Sequence, residues 1–200
     1  MFDSSDLVAG ATCLDFVNTV GGDREGISEE KIVTYADLVG WAALAGVLDG
    51  ETAALMLSAA MADPVAADKA LTRAKEFREA LHGILLARVR GQVPPARAVE
   101  SLNRRVADAM SHATLTMEGD LYRWRWPGSA LDLAIWPICY DAAELLQSAS
   151  LRRLHVCSGE ICGWLFLDMT KNGSRRWCAM RGCGNRAKTR RYRGRQKTAV

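Results

Sequence analysis

Four cysteines near the end of the chain, Cys157, Cys162, Cys178 and Cys183, form two C-x4-C pairs separated by fifteen residues. Structural zinc takes four soft ligands in a tetrahedron, and two short loops with two thiolates each supply them at little loop-closure cost. The segment between the pairs, Gly163 to Trp177, reads as a β-hairpin. Trp164-Leu165-Phe166-Leu167 is rich in strand formers, Asn172-Gly173 is a turn signal, and Arg175-Arg176-Trp177 can return antiparallel. The competing readings are disulfides, buried free thiols and a rubredoxin-like iron site. The opening Met1-Phe2-Asp3-Ser4-Ser5 has no basic-then-apolar leader, so a reducing cytoplasm is expected and disulfides are disfavoured. Buried thiols need no equal spacing, and four-thiolate iron sites more often use two-residue gaps. His155 precedes Cys157 by two residues and could replace a thiolate, but the four cysteines already fill a tetrahedron.

Charge divides the chain at the same place. Residues 1–150 carry 13 Lys or Arg against 21 Asp or Glu, a net −8, and residues 151–200 carry 13 against 2, a net +11. No acid follows Asp168. An acidic body is indifferent to nucleic acid, whereas a compact basic module is drawn to phosphates. The expected organisation is a body over 1–150 and a zinc module over 151–200. The chain is 49% hydrophobic and has no apolar run of about eighteen residues able to span a bilayer.

Along the body, Leu14 to Val20 reads as a short strand or extended entry, followed by a Gly21-Gly22 turn and a polar loop through Glu30. Thr34 is a candidate N-cap for a helix over 35–47, and a second helix covers 51–62. Asp63-Pro64 starts a long helix that Gly91 stops near Arg90, and another follows over 96–111. Residues 113–117 and 121–126 alternate with period two around Glu118-Gly119-Asp120, predicting a hairpin with one buried face. A last helix over 130–148 contains Pro137 and should kink there. Asp15 and Asn18 either line a small pocket or satisfy backbone groups, the second being favoured. Cys13 and Cys139 read as core thiols. His82, His112 and His155 lie far apart, and neither a phosphate loop nor a nucleophile elbow is present, so an enzyme is not expected.

Cys183-Gly184-Asn185-Arg186, with Arg175-Arg176-Trp177-Cys178 and Cys157-x4-Cys162-Gly163-Trp164-Leu165-Phe166-Leu167-Asp168 before it, resembles the CGNR zinc finger of bacterial proteins. Cys13-Leu14-Asp15-Phe16-Val17-Asn18-Thr19, Asp37-Leu38 with Trp41, and Ala142-Ala143-Glu144-Leu145-Leu146 resemble the ABATE domain that precedes it in that family. The resemblance implies a stress-related transcription regulator: one structural zinc on Cys157, Cys162, Cys178 and Cys183, a DNA-contacting finger, and an α+β domain that senses or dimerises. The fold class is therefore α+β, a mainly helical N-terminal domain with a small β-hairpin followed by a treble-clef-like finger of hairpin and basic helix.

A helix starting near Asn185 would place Arg186, Arg190, Arg193 and Lys197 in one stripe and Lys188, Arg191 and Arg195 opposite, with Ala187 and Tyr192 against the hairpin and Gly194 as its end. With so thin an apolar seam, the metal, contributing on the order of 10–16 kcal/mol, would have to hold the module. The candidate DNA contacts are Arg175, Arg176, Arg186, Lys188, Arg190, Arg191, Arg193 and Arg195, with duplex DNA as partner. RNA is the alternative partner, with Trp164, Trp177 and Tyr192 stacking on bases; a small-molecule enzyme with an accessory finger ranks last. A small-molecule effector and a homodimer are compatible with this sequence.

Overall fold

The computed structural model describes residues 2–22, 24 and 28–198, with side chains through Arg193 except that of Ser28. It is a mainly helical body with small antiparallel hairpins, ending in a hairpin and helix around the clustered cysteines. Three of the body's helix boundaries are set by the capping chemistry their sequences announce. In α2 (Tyr35–Leu44) the Thr34 side chain accepts from the Asp37 N–H while the Asp37 carboxylate accepts from the Thr34 N–H, closing a capping box. Asp63 caps α4 (Pro64–Arg90) by accepting from the Ala66 N–H, and Gly91 ends it in the left-handed region at φ 66°.

The first helix was hidden from pattern reading. Thr12–Val17, expected to be extended, is a six-residue helix, α1, and Gly21-Gly22 lies not in a turn but in β1 (Val20–Gly22), paired with β2 (Ser28–Glu30). Cys13 through Val17 are all buried, because α1 sits between α4 and α6 (Trp136–Gln147). A helix enclosed on all sides shows no polar face, and a short apolar run does not reveal its period. Phe16 of α1 stands 5.2 Å from Trp41 and 6.2 Å from Phe77, ring centre to ring centre, at the middle of the core.

Two other expectations are corrected. Pro137 does not kink a helix. Residues 131–135 form tight turns, and Pro137 falls in the first turn of α6, where its missing N–H is not needed. The expected hairpin forms as β3 (Thr114–Glu118) with β4 (Leu121–Arg125), with Glu118 paired to Leu121 rather than in the turn, but neither face is buried: Leu115, Met117, Leu121 and Tyr122 are all exposed. It follows α5 (Ala96–Ser111), and with both strands largely exposed its alternation has no core to face.

The core does not stop at residue 150. Leu154, Leu165, Phe166 and Leu167 belong to the same hydrophobic cluster as Leu14, Trp41 and Phe77. Among the described residues no helix is long and apolar enough to cross a membrane.

Candidate metal centre

The cysteines are delivered by a pairing that differs from the expected one. β6 (Leu165–Leu167) does not pair with 175–177; it pairs with β5 (Leu154–Val156), in the register Val156↔Leu165 and Leu154↔Leu167. Cys157 and Cys162 therefore lie in the turn between the two strands, and the Cys157 N–H donates to the Trp164 carbonyl at 2.8 Å. Asp168 takes the place that a returning strand would have held. Buried at the end of β6, its carboxylate accepts from the Thr170 N–H (2.9 Å), the Thr170 hydroxyl (2.6 Å) and the Arg175 N–H (2.7 Å). The Asn172-Gly173 turn, with Gly173 at φ 58°, thus belongs to a loop closed by a side chain. That loop leads to Cys178, and a π-helical turn over Met180–Gly184 carries Cys183 into α7 (Asn185–Thr198).

The four Sγ atoms all lie within 4.8 Å of one another. Sγ of Cys162 and Cys178 are 3.6 Å apart, and those of Cys178 and Cys183 are 3.8 Å apart. Zn–S bonds of about 2.3 Å make the edge of a tetrahedron about 3.8 Å, so the sulfurs already stand at ligand spacing. None of the six cysteines is in a disulfide. Gly159 leaves room for the cluster: a Cβ there would come within 2.9 Å of both the Cys162 Cβ and the Cys183 Sγ. Negative charge is shared unequally among the sulfurs, the thiols of Cys162 and Cys178 being pushed up chiefly by their hydrogen bonds to Cys157. The Cys157 thiol is held far below its ordinary range, chiefly by hydrogen bonds from the Cys162 and Cys178 thiols and further by the N–H groups of Cys178 (3.3 Å) and Gly159 (3.4 Å). The Arg186 guanidinium donates to Cys183 Sγ at 2.9 Å. This donor set fits one soft divalent ion in a closed four-sulfur site.

The expected basic contacts separate into distinct roles. Arg175 points inward, donating to the carbonyls of Trp177 (3.0 Å), Leu167 (3.2 Å), Val8 (2.8 Å) and Cys178, and its guanidinium lies 4.4 Å from the Phe166 ring centre. It is an internal strut. Arg186 serves Cys183, and Arg190 pairs with Glu160 in the cysteine turn at 3.3 Å. Arg176, Lys188, Arg191 and Arg193 are exposed. The side chains of Arg195 and Lys197 lie outside the described residues. α7 runs on through Gly194 to Thr198, and Tyr192, expected to pack, is 64% exposed, so among the described side chains of the helix only Ala187 is buried. His155 lies outside the sulfur cluster, 5.9 Å from the Phe166 ring.

Pattern reading missed how the cluster is held to the body. Asn18 does satisfy backbone groups, but those of a residue 147 positions away: its side-chain N–H donates to the Leu165 carbonyl (2.8 Å) and its Oδ1 accepts from the Leu165 N–H (2.9 Å). The Leu167 N–H donates to the Ala9 carbonyl at 2.8 Å, and the Trp164 indole N–H to the Val20 carbonyl at 3.3 Å. Asp15 in turn holds the Ala9 N–H at 2.8 Å, and burial raises its carboxyl to about 6. β6 is thus bonded along one edge to β5 and along the other to the opening segment of the body.

Residues 10–149 match the ABATE family, described as "Putative stress-induced transcription regulator", and residues 153–196 match the CGNR zinc finger. Among curated proteins no match to the chain is found. With the first family covering most of its length, and the four sulfurs of the second gathered at the root of α7, the chain belongs to the ABATE family and bears a CGNR zinc finger.

Proposed function

We propose that the protein is a zinc-dependent, DNA-binding transcription regulator rather than an enzyme. In this reading one zinc ion on Cys157, Cys162, Cys178 and Cys183 fixes the start of α7, and the acid-free segment that follows meets the phosphates of duplex DNA. The single observation that carries it is the gathering of four sulfurs, within 4.8 Å, at the base of a helix whose sequence is basic throughout. The bound ion would supply no chemistry beyond holding the two cysteine-bearing segments together.

The division of labour assigns 1–150 to sensing or dimerisation and 151–200 to DNA. Supporting the first part, a cavity of about 570 Å³ opens in the body beside Asp49, Arg125, Trp126 and Asp141. The testing experiment measures binding of the metal-loaded and the chelated full chain to random-sequence duplex DNA, with structured RNA as competitor, at two salt concentrations. Metal-dependent duplex binding with a log–log salt slope near −5, as about five or six neutralised phosphates require, is expected. Binding that survives chelation, or that RNA abolishes far more readily than DNA does, refutes the reading.

A further inference from the structure

We infer that duplex DNA is received not by the Arg186–Arg190–Arg193 stripe of α7 but by a groove on the opposite side, between α7 and the 176–180 loop. The inference rests on the DNA reading above and names the face. Two of the three arginines of the first stripe already have partners inside the finger: Arg186 holds the Cys183 sulfur and Arg190 meets Glu160. A half-turn around the helix, Lys188 and Arg191 are exposed, and among the described residues neither makes an ion pair. They share one face with Gly184 and Ala187, as a step of about 100° per residue requires.

That face is a built surface. A cavity of about 480 Å³ is lined by Arg176, Trp177, Met180, Lys188, Arg191 and Tyr192, with Gly184 and Ala187 in its wall. Gly184 is necessary to its shape, since a Cβ there would come within 2.5 Å of the Met180 sulfur and 3.3 Å of the Trp177 ring. The Arg176 guanidinium lies 5.5 Å from the centre of the Trp177 ring, which steers its charge towards the groove. Three cations thus surround a strip on which Met180 (62%) and Tyr192 (64%) remain exposed. Cations beside exposed apolar groups match a polyanion with flat bases: Arg176, Lys188 and Arg191 take phosphates, and Tyr192 and Met180 take sugar and base edges, the thymine methyl among them.

The test compares full-length, zinc-loaded Lys188→Ala/Arg191→Ala with Arg190→Ala/Arg193→Ala on a fluorescent random-sequence duplex DNA across a salt series, with zinc per chain measured for each. The same pairs changed to Gln guard against loss of helix. The groove pair is expected to lose about tenfold or more in affinity and about 2 from the salt slope, and the opposite pair to lose no more than about threefold. Tyr192→Ala should weaken binding with the slope unchanged. Equal losses for the two pairs, or a greater loss for Arg190/Arg193, overturn the groove while leaving DNA binding intact. Failure of the unaltered protein to bind duplex DNA overturns the DNA reading and the groove with it.

Discussion

Asn18→Ala is the most informative single change. The side chain is 4% exposed and Leu165 is fully buried, so the substitution leaves both the N–H and the carbonyl of Leu165 without their partner in a dry place. A buried backbone group stripped of its hydrogen bond costs about 1–3 kcal/mol, so the pair should cost about 2–5 kcal/mol. Urea unfolding of the metal-loaded chain, followed by tryptophan fluorescence, measures this directly, since Trp164 adjoins the broken bonds. The rate of zinc transfer to a coloured chelator should rise in parallel, because the Trp164 carbonyl positions the N–H of Cys157. Asn18→Asp keeps the acceptor but loses the donor and sets a negative charge against the Leu165 carbonyl. It should be as damaging at neutral pH and partly recover in acid, where a carboxylic O–H can donate again. A loss below about 1 kcal/mol for the Ala variant, with zinc release unchanged, would refute the idea that Asn18 joins the cluster to the body.

Arg186→Ala should speed zinc release about 10–100-fold, as loss of a partner to a metal ligand does, with little change in far-ultraviolet dichroism of the body; an unaltered release rate would deny its role at Cys183. Gly159→Ala places a methyl within 2.9 Å of Cys183 Sγ and should lower bound zinc per chain, measured by atomic absorption, whereas full occupancy would show the turn to be looser than described. Burial lowers His82 to about 4, with Arg24 adding repulsion. Its folded-state value lies below its unfolded one, so the unfolded chain binds the extra proton first, and this contribution to stability is lost as pH falls from about 6.5 to about 4. His82→Gln should therefore resist acid better than the unaltered protein, by up to about 2 kcal/mol after discounting for partial exposure. A constant difference in unfolding free energy between the two across that range would contradict this.

What could be read from the residues follows a physical divide. Local signals were sufficient where a side chain acts on its own helix or turn: Thr34 and Asp63 as caps, Gly91 as a stop, and the place of the reversal between β3 and β4 all act within a few positions. The sulfur spacing was legible for the same reason, since each pair sits in one short segment. What escaped depends on distant partners. α1 is enclosed by α4 and α6, so its run of buried residues carries no period. β6 chose Leu154–Val156 over Arg175–Trp177 because Asp168 captures the Arg175 N–H. Arg175 and Arg186, indistinguishable by charge from Lys188 and Arg191, were diverted by a cage of carbonyls and by a sulfur. A buried Asp in a basic segment was the available hint, since an acid there must be surrounded by donors.

The two-sided bonding of β6 has a practical consequence. A fragment beginning at residue 151 would not be a released finger: it would present the bare N–H of Leu167 and both polar groups of Leu165 to solvent, along a flank that invites a second chain to stitch on. The bearing of α7 is therefore inherited from the opening turn of the polypeptide. Any molecule that shifts α1 has a direct mechanical line, through one three-residue strand, to the helix that carries the basic residues of the finger.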